Sequence, residues 1–597
     1  MVVIYGTMIT PTRRSGSDPI GALESELARV LAAELGVGVD IVAALVAPPS
    51  RSEMGDAAIA CHRLAKLATG TPPEIAQRLA AAAVDMEGVG VAEAVGPFLN
   101  VRWDPATVAR LVLDEVVAAA ARPAGLVGGD EGAGTTWVVD FSSPNAARKL
   151  GFHHLRGTAL GASLARLYEA RGHRVVRLNH LGDYGHNIAL LLHKIEETGE
   201  ADAGVLGPER LQALYVEANE DEASRPEEVG AASADWLGRL NDGDPTARRR
   251  WQLIVDATTG SLEDTYARLG IRFDEYRGES RYGGAAIEVS RELVDADVAE
   301  VDPDGGAVFV PPVDGHQAVV LVTGRGASTY ESRDAAAAIE RRRDFGFDRC
   351  VYLTDMGQGG RFGAVFAALA RAGYEWATTC EHVGFGQMRL GGQKAKTREG
   401  RVVSLDEVLD EAVERARTEI AERSEGPDDP IGVAEMVGVG AVLFGQCRMR
   451  RAADFEFDLD EAVQFKGETG PRIQYAYARI ASIMTKGGTT IASALGDGDP
   501  AVLGHPAETQ VLLAIGGLGP AALKAYEADD PSYLCDGLVA VADAWASYQN
   551  AGRDDPDLRV LSEDDTLRRA RLRLAAATAV AVRDGLAVVG VGVPERM

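Results

Sequence analysis

Two short apolar runs that end in polar side chains constrain this chain more than anything else in it. They are WVVDFSS (137–143) and HRVVRLNHLG (173–182). Each reads as a buried strand, and residues 154–171 between them have the apolar spacing of a helix. A second helix is expected over 186–198. The alternation returns with AVVLVTG (318–324), a helix around 334–344 and RCVYLTD (349–355). Strand and helix alternating in this way imply a parallel sheet with crossover helices. Such sheets bind ligands outside the carboxyl ends of their strands. Here those ends are Asp140-Phe141-Ser142, His180-Leu181-Gly182 and Thr354-Asp355-Met356.

The flanks read differently. Residues 17–36 and 73–85 have helical spacing, and VAEAVGPFLNVRW reads as a strand broken by a Gly-Pro turn. That makes a small α+β unit over 1–115, followed by a Gly- and Ala-rich linker at 123–134. The sheet domain is expected over 135–402, with a charged helical insertion at about 200–285, and 403–597 is mainly helical. A chain of 597 residues exceeds one core, and roughly three to five domains are expected.

Five scattered cysteines without a CxxC pair argue for reduced thiols, a cytoplasmic address and no zinc site. No apolar run reads as a membrane span, the N-terminus does not read as a secretory signal, and there is no P-loop. The net charge of -28 argues against a non-specific nucleic-acid binder, without excluding one with local basic patches. Local basic runs remain at Arg248–Arg250, at Arg448, Arg450 and Arg451, and at Arg568, Arg569, Arg571 and Arg573. Each reads first as a solvated helix face with acids nearby.

The segment VDFSSPNAARKLGFHHLRGT resembles the signature of the arginyl-tRNA synthetase family of class I aminoacyl-tRNA synthetases. There Ser-Ser-Pro-Asn precedes His-x-Gly-His-Leu-Arg. The resemblance extends to HLGDYG, to STYESRDAAAAIERRR and to GPRIQYAYAR, and so covers nearly the whole chain. It implies an α/β fold with a Rossmann-like catalytic domain and helical insertion. A small N-terminal α+β domain that meets the tRNA elbow and a C-terminal all-α anticodon-binding-type domain complete it. The implied activity is ATP-dependent activation of L-arginine or a close analogue as the adenylate, then transfer to tRNA(Arg) or a related tRNA. Mg2+ accompanies the ATP, no dedicated protein metal site is implied, and a monomer is expected.

Carried over residue by residue, the resemblance assigns the amino acid to Asp140, Ser142, Asn145, Tyr330, Asp334 and Gln358. Carboxylates and amide oxygens suit a planar five-donor guanidinium. ATP falls to Gly151, His154, His180, Gly182 and Asp183, and its phosphates to Lys394 and Lys396. His153, His154, Arg148, Lys149, Lys394, Lys396 and Arg398 form the implied catalytic set, and Arg472, Tyr475 and Tyr477 the tRNA set.

The chain also departs from the pattern. Gly151 stands for the first histidine and His153 for the glycine, Asp140 for a glutamate, Tyr184 for a tryptophan and Arg472 for an aromatic. These departures leave two other readings beside the synthetase. One is a paralogue that ligates an arginine-like amino acid to a non-tRNA acceptor. The other is an inactive tRNA- or amino-acid-binding protein.

Overall fold

A computed structural model describes residues 17–49, 51–200, 206–390, 403–422 and 427–597. Its centre is a parallel sheet of β1 (Thr136–Asp140), β2 (Arg174–Asn179), β3 (Glu275–Tyr276), β4 (Arg349–Tyr352) and β5 (Cys380–His382). The order is β5-β4-β1-β2-β3. Helix α1 (Leu155–Ala170) connects β1 to β2, and α2 (His186–Thr198) follows β2. Helix α3 (Tyr330–Phe345) leads into β4, and α4 (Gly359–Arg371) connects β4 to β5. The chain leaves β1 towards one edge and returns on the other, so the order reverses between β1 and β4. In register, Tyr352 lies beside Asp140 and Asp140 beside Leu178. The three expected strand ends therefore emerge level at the switch point, where this sheet class opens a crevice.

Two expectations change. AVVLVTG forms the strand Val319–Val322, but in a separate antiparallel sheet with Val308–Val310 and Glu300–Val301. Both edges of β1 are already taken, and the two nearby strands pair locally. Within 200–285, the helices Pro208–Ser224, Pro226–Asn241 and Pro245–Arg268 form the insertion, while Glu275–Tyr276 joins the main sheet as β3. Each insertion helix starts on a proline, whose fixed φ and missing N–H suit a first turn. The insertion packs Leu211, Leu214, Trp236 and Ile254 together with Leu192 of α2 and with Ala146 and Ala147 from the loop after β1. It thus braces that loop directly.

Helix α1 is buried on nearly every side, between the sheet and the C-terminal helices. This close approach needs Gly161, since a Cβ there would lie 2.3 Å from Phe141 Cγ. Arg156 on its first turn is fully buried. Its guanidinium donates to the carbonyls of Gln446, Arg450, Arg451 and Ala453 at 3.0–3.3 Å. It thereby ties α1 to the end of the helix Pro430–Arg448. By length and composition alone that helix is apolar enough to cross a membrane. Here it is a core helix, with Val437, Val442, Leu443 and Phe444 buried.

The N-terminal unit is a four-stranded antiparallel sheet whose hairpin, Val89–Val95 and Phe98–Trp103, turns at Gly96-Pro97. The C-terminal region gathers around the helix Asp565–Val588, which is buried through its middle. Its basic run is largely spoken for. Arg571 pairs with buried Glu508 at 2.7 Å, Arg573 with Asp114 at 2.9 Å, and Arg568 and Arg569 with Asp565. Arg448 and Arg450 pair with Glu468 and Asp536. Arg250 pairs with Glu196, whereas Arg248 and Arg249 are exposed.

Candidate active site

The loop after β1 holds three non-glycine residues at positive φ: Ser142 (72°), Ser143 (44°) and Ala147 (69°). Such backbone persists only when its surroundings enforce it. Ser142 Oγ is hydrogen-bonded to Thr158 Oγ1 at 2.8 Å and to Tyr266 Oη at 2.7 Å. Asn179 Nδ2 donates to the same Tyr266 hydroxyl at 3.1 Å. Ser143 Oγ donates to Asp140, and the Ala147 amide donates to Thr258 Oγ1 at 2.9 Å. The Ser142 side chain therefore faces α1 and the insertion rather than the crevice.

Asn145 lies against the end of β2. The Gly182 amide donates to the Pro144 carbonyl, and the Ala146 amide to the Gly182 carbonyl, each at 3.0 Å. A Cβ on Gly182 would stand 2.3 Å from Asn145 Oδ1, so the glycine lets the two loops touch. Buried Asp183 accepts from the amide and hydroxyl of Ser280 at 2.8 and 2.7 Å, which ties it to the β3 loop.

The acids of the crevice meet arginines of the same chain. Asp140 is buried and pairs with Arg341 at 2.8 Å. Arg341 is fully buried, and Asp140 first among its neighbours holds its pKa above the ordinary value against desolvation. His180 Nδ1 lies 3.3 Å from the same guanidinium. Burial first, then Arg341, push the His180 pKa down to about 4. His180 thus belongs to the Asp140–Arg341 group.

Asp334 is buried on α3, with Arg361 Nη2 3.4 Å from its Oδ2. That oxygen has no hydrogen-bond partner among the described residues. Burial drives the Asp334 pKa up to about 6, against the pull of Arg361 and Arg341. Gln358 is exposed, and its Oε1 accepts from Arg361 at 3.0 Å. Tyr330 is exposed, with Arg333 over its ring at 4.8 Å. Arg333 also reaches Glu279 at 3.2 Å, whose pKa burial raises to about 7. Tyr184, Asp183, Ser280, Tyr330 and Arg333 line an open cleft of about 1280 Å³ between this face and the insertion.

The histidine turn sits at the other end of the loop. The Gly151 amide donates to His154 Nδ1 at 3.2 Å, so the neutral ring carries its proton on Nε2. Burial, then His153, lower the His154 pKa to about 4. The His153 ring lies 3.9 Å from it, and its pKa is lowered by burial first and Arg148 second. Arg148 stacks on Tyr215 of the insertion at 4.2 Å, and Lys149 pairs with Glu209 at 2.8 Å. Lys394, Lys396 and Arg398 lie outside the described residues. The chain on either side of their segment is anchored. Met388–Leu390 pairs in parallel with Phe455–Phe457, the Phe152 amide donates to the Val403 carbonyl at 3.0 Å, and Leu405 to Leu150 at 2.8 Å. The residues following that segment are thus bonded to the histidine turn itself.

On the helical side, Tyr475 is exposed and packs edge-on to Phe465 at 6.0 Å. It lines a surface recess with Arg472, Arg479, Trp545 and Arg553. Arg472 is paired with Asp543 and donates to the Gly467 carbonyl. Tyr477 turns to the core, and burial raises its pKa.

Arg341 and Arg361 escaped the sequence reading as parts of the site. Arg341 lies seven residues after Asp334, on the same face of α3, and Arg361 one turn after Gln358. That spacing was the available signal. Among the described residues no group of three His, Cys, Asp or Glu side chains could hold a metal ion.

A parallel sheet with the loop and histidine turn at its switch point, a helical insertion and a C-terminal helical domain define a class I aminoacyl-tRNA synthetase. The family model for the catalytic domain of class I (R) tRNA synthetases matches 125–459. Those for the arginyl-tRNA synthetase N-terminal domain and the DALR anticodon-binding domain match 21–103 and 473–597. The chain is 33% identical over 564 residues to the arginine–tRNA ligase of Lactococcus lactis subsp. cremoris, covering 94% of this chain and 97% of that one. It is 33% identical to that of Clostridium perfringens, covering 93% and 96%. The Thermus thermophilus arginyl-tRNA synthetase structure superposes with a TM-score of 0.77 at 26% identity, covering 96% and 99%. The chain belongs to the arginyl-tRNA synthetase family, and its fold implies ATP as a substrate.

Proposed function

We propose that the chain activates L-arginine with ATP and transfers it to tRNA(Arg). The arginine carboxylate attacks the α-phosphorus and pyrophosphate leaves. A ribose hydroxyl at the tRNA end then attacks the adenylate carbonyl and AMP leaves. Such chemistry runs on positioning and charge stabilisation rather than on a protein base. One observation carries the amino-acid assignment: Asp334 buries a carboxylate whose Oδ2 has no hydrogen-bond partner among the described residues, with only Arg361 Nη2 near it at 3.4 Å. A buried acceptor of this kind is costly unless a ligand completes it. Gln358, Tyr330 and Asn145 surround the guanidinium end of that ligand in this reading, and Asp140 contributes through Arg341.

His154 serves the nucleotide as a neutral Nε2–H donor, since its pKa of about 4 keeps it uncharged near pH 7. In this reading His153 lies along the adenine edge, and Lys394, Lys396 and Arg398 meet the pyrophosphate. Magnesium arrives on the ATP phosphates as part of that substrate. Tyr475 and the surrounding arginines support docking of an RNA loop. Five buried cysteines, none of them in a disulfide, accord with a reducing cytoplasm.

The test is arginine-dependent charging of total tRNA by the purified chain, beside an active arginyl-tRNA synthetase. Charging upholds the assignment, and bound but uncharged tRNA refutes it. One observation favours the paralogue reading as a second choice. Arg472, where the family pattern has an aromatic, is already held by Asp543 and the Gly467 carbonyl. Arginine-dependent ATP–pyrophosphate exchange without tRNA charging would select that reading.

A further inference from the structure

The first turn of α4 carries a cation where a helix favours an anion. Arg361 is the third residue of Gly359–Arg371. The amino end of a helix is its positive pole, so helix formation gives no reason for a guanidinium there. Its side chain is turned to the crevice, with one nitrogen, Nη2, 3.0 Å from Gln358 Oε1 and 3.4 Å from Asp334 Oδ2. Those are two of the groups assigned above to the guanidinium of the substrate.

The fit is incomplete. Arg361 Nε and Asp334 Oδ2 are both buried without a hydrogen-bond partner among the described residues. A free arginine side chain entering end-on would present two parallel N–H groups to the carboxylate, the stronger geometry for this pair. Arg341 offers no such exchange, because it is fully buried against Asp140 and His180. Arg361 is 25% exposed in its side chain, so it has a way out to solvent.

We propose that Arg361 determines specificity by occupying the guanidinium subsite in the free protein and withdrawing from Asp334 and Gln358 when arginine binds. The inference rests on reading this pocket as the arginine site. A side chain that holds the subsite most of the time lowers the apparent affinity by the fraction of time the subsite is open. It also sets a threshold. A ligand must take over both acceptors that Arg361 Nη2 bridges, Gln358 Oε1 and Asp334 Oδ2, which the planar fork of arginine can span and a lysine ammonium, a point charge, does not.

The test uses the full chain, with KM and kcat for arginine measured in tRNA charging and arginine affinity measured by calorimetry. Arg361→Gln is expected to lower the KM for arginine by about tenfold, with the change falling on KM rather than kcat. Arg361→Lys, which keeps a cation and loses the fork, should fall between the two. A KM that stays the same or rises in Arg361→Gln overturns the proposal, as does loss of charging in that variant alone. If no form charges tRNA yet Arg361→Gln binds arginine more tightly, the ligase reading fails and the role of Arg361 stands. If neither form binds arginine, Arg361 has no substrate to displace and the proposal is overturned.

Discussion

The two ends of the loop after β1 are built on opposite plans. At the end assigned above to the amino acid the protein answers its own charges: Asp140 with Arg341, Asp334 with Arg361, Glu279 with Arg333. At the end assigned above to the nucleotide, burial lowers the pKa of both His153 and His154, and His154 leaves one N–H for a ligand. On the assignment proposed above, binding at the first end would be an exchange of partners, whereas at the second it would be an addition. The difference teaches where selectivity can reside. Exchange penalises a ligand that cannot reproduce the internal contact, and addition does not.

The sharpest way to break this comparison is to remove the acceptor that is exchanged. Asp334→Asn keeps the shape and deletes the charge. It should lower kcat/KM for arginine by about 10³-fold, because a site built for a charged hydrogen bond discriminates steeply when its partner is lost. Steady-state charging measures it. A loss below tenfold would show that Asp334 does not meet the substrate.

At the nucleotide end the expected change is a gain. Gly151→His combined with His153→Gly restores the family pattern and adds one donor. One transition-state donor is typically worth about 10²–10³ in rate. Single-turnover charging should therefore accelerate by about 10²-fold with the KM for arginine little changed. A rise in that KM would mean that the two ends are coupled through the loop.

How much of this was legible in the sequence follows from the range of each interaction. The strand ends, the Ser-Ser-Pro-Asn loop and the histidine turn are local, and their residues gather where periodicity places them. The partners are not local. Asp140 meets Arg341 two hundred residues on, and Arg156 caps carbonyls of 446–453. No period or motif encodes such pairings, and so the sequence does not name Arg341 as the partner of Asp140. Val319–Val322 was misplaced for a similar reason, since a strand period does not say which sheet the strand joins. Ser142 and Asp183 were legible as motif members, but the groups their side chains touch came only with the fold.

Titration separates the two ends next. Asp334, pushed up to about 6, is neutral in mild acid and then offers a guanidinium no charge. The KM for arginine should rise about tenfold per pH unit below that value, while His154 and His180, at about 4, stay neutral. For stability the signs oppose. Asp334 titrates above its ordinary 3.8, so its contribution is present below that value and lost as pH rises through about 6. The histidines titrate below 6.5, so theirs is present above it and lost as pH falls through about 4. Denaturation midpoints across this range should therefore fall towards the acid side if the histidines dominate. A flat KM profile would detach Asp334 from the substrate.

The smallest expected effect tests the hinge between the ends. The family pattern assigns Ser142 to the amino acid, but its hydroxyl faces Thr158 and Tyr266, and its own backbone sits at φ 72°. If the hydroxyl works as a brace, Ser142→Ala should cost about 1–2 kcal/mol of stability, the usual loss when a buried hydrogen-bond partner is removed. Any loss of kcat/KM would then be a few-fold and shared by arginine and ATP, because the loop carries both ends. If the hydroxyl instead touches arginine, stability holds and only the KM for arginine moves. Urea denaturation with parallel KM measurements for both substrates separates the two. The brace is the expected result because Tyr266, which holds Ser142, also receives Asn179 from β2. Loosening that hydroxyl frees the loop from both its helix and its neighbouring strand.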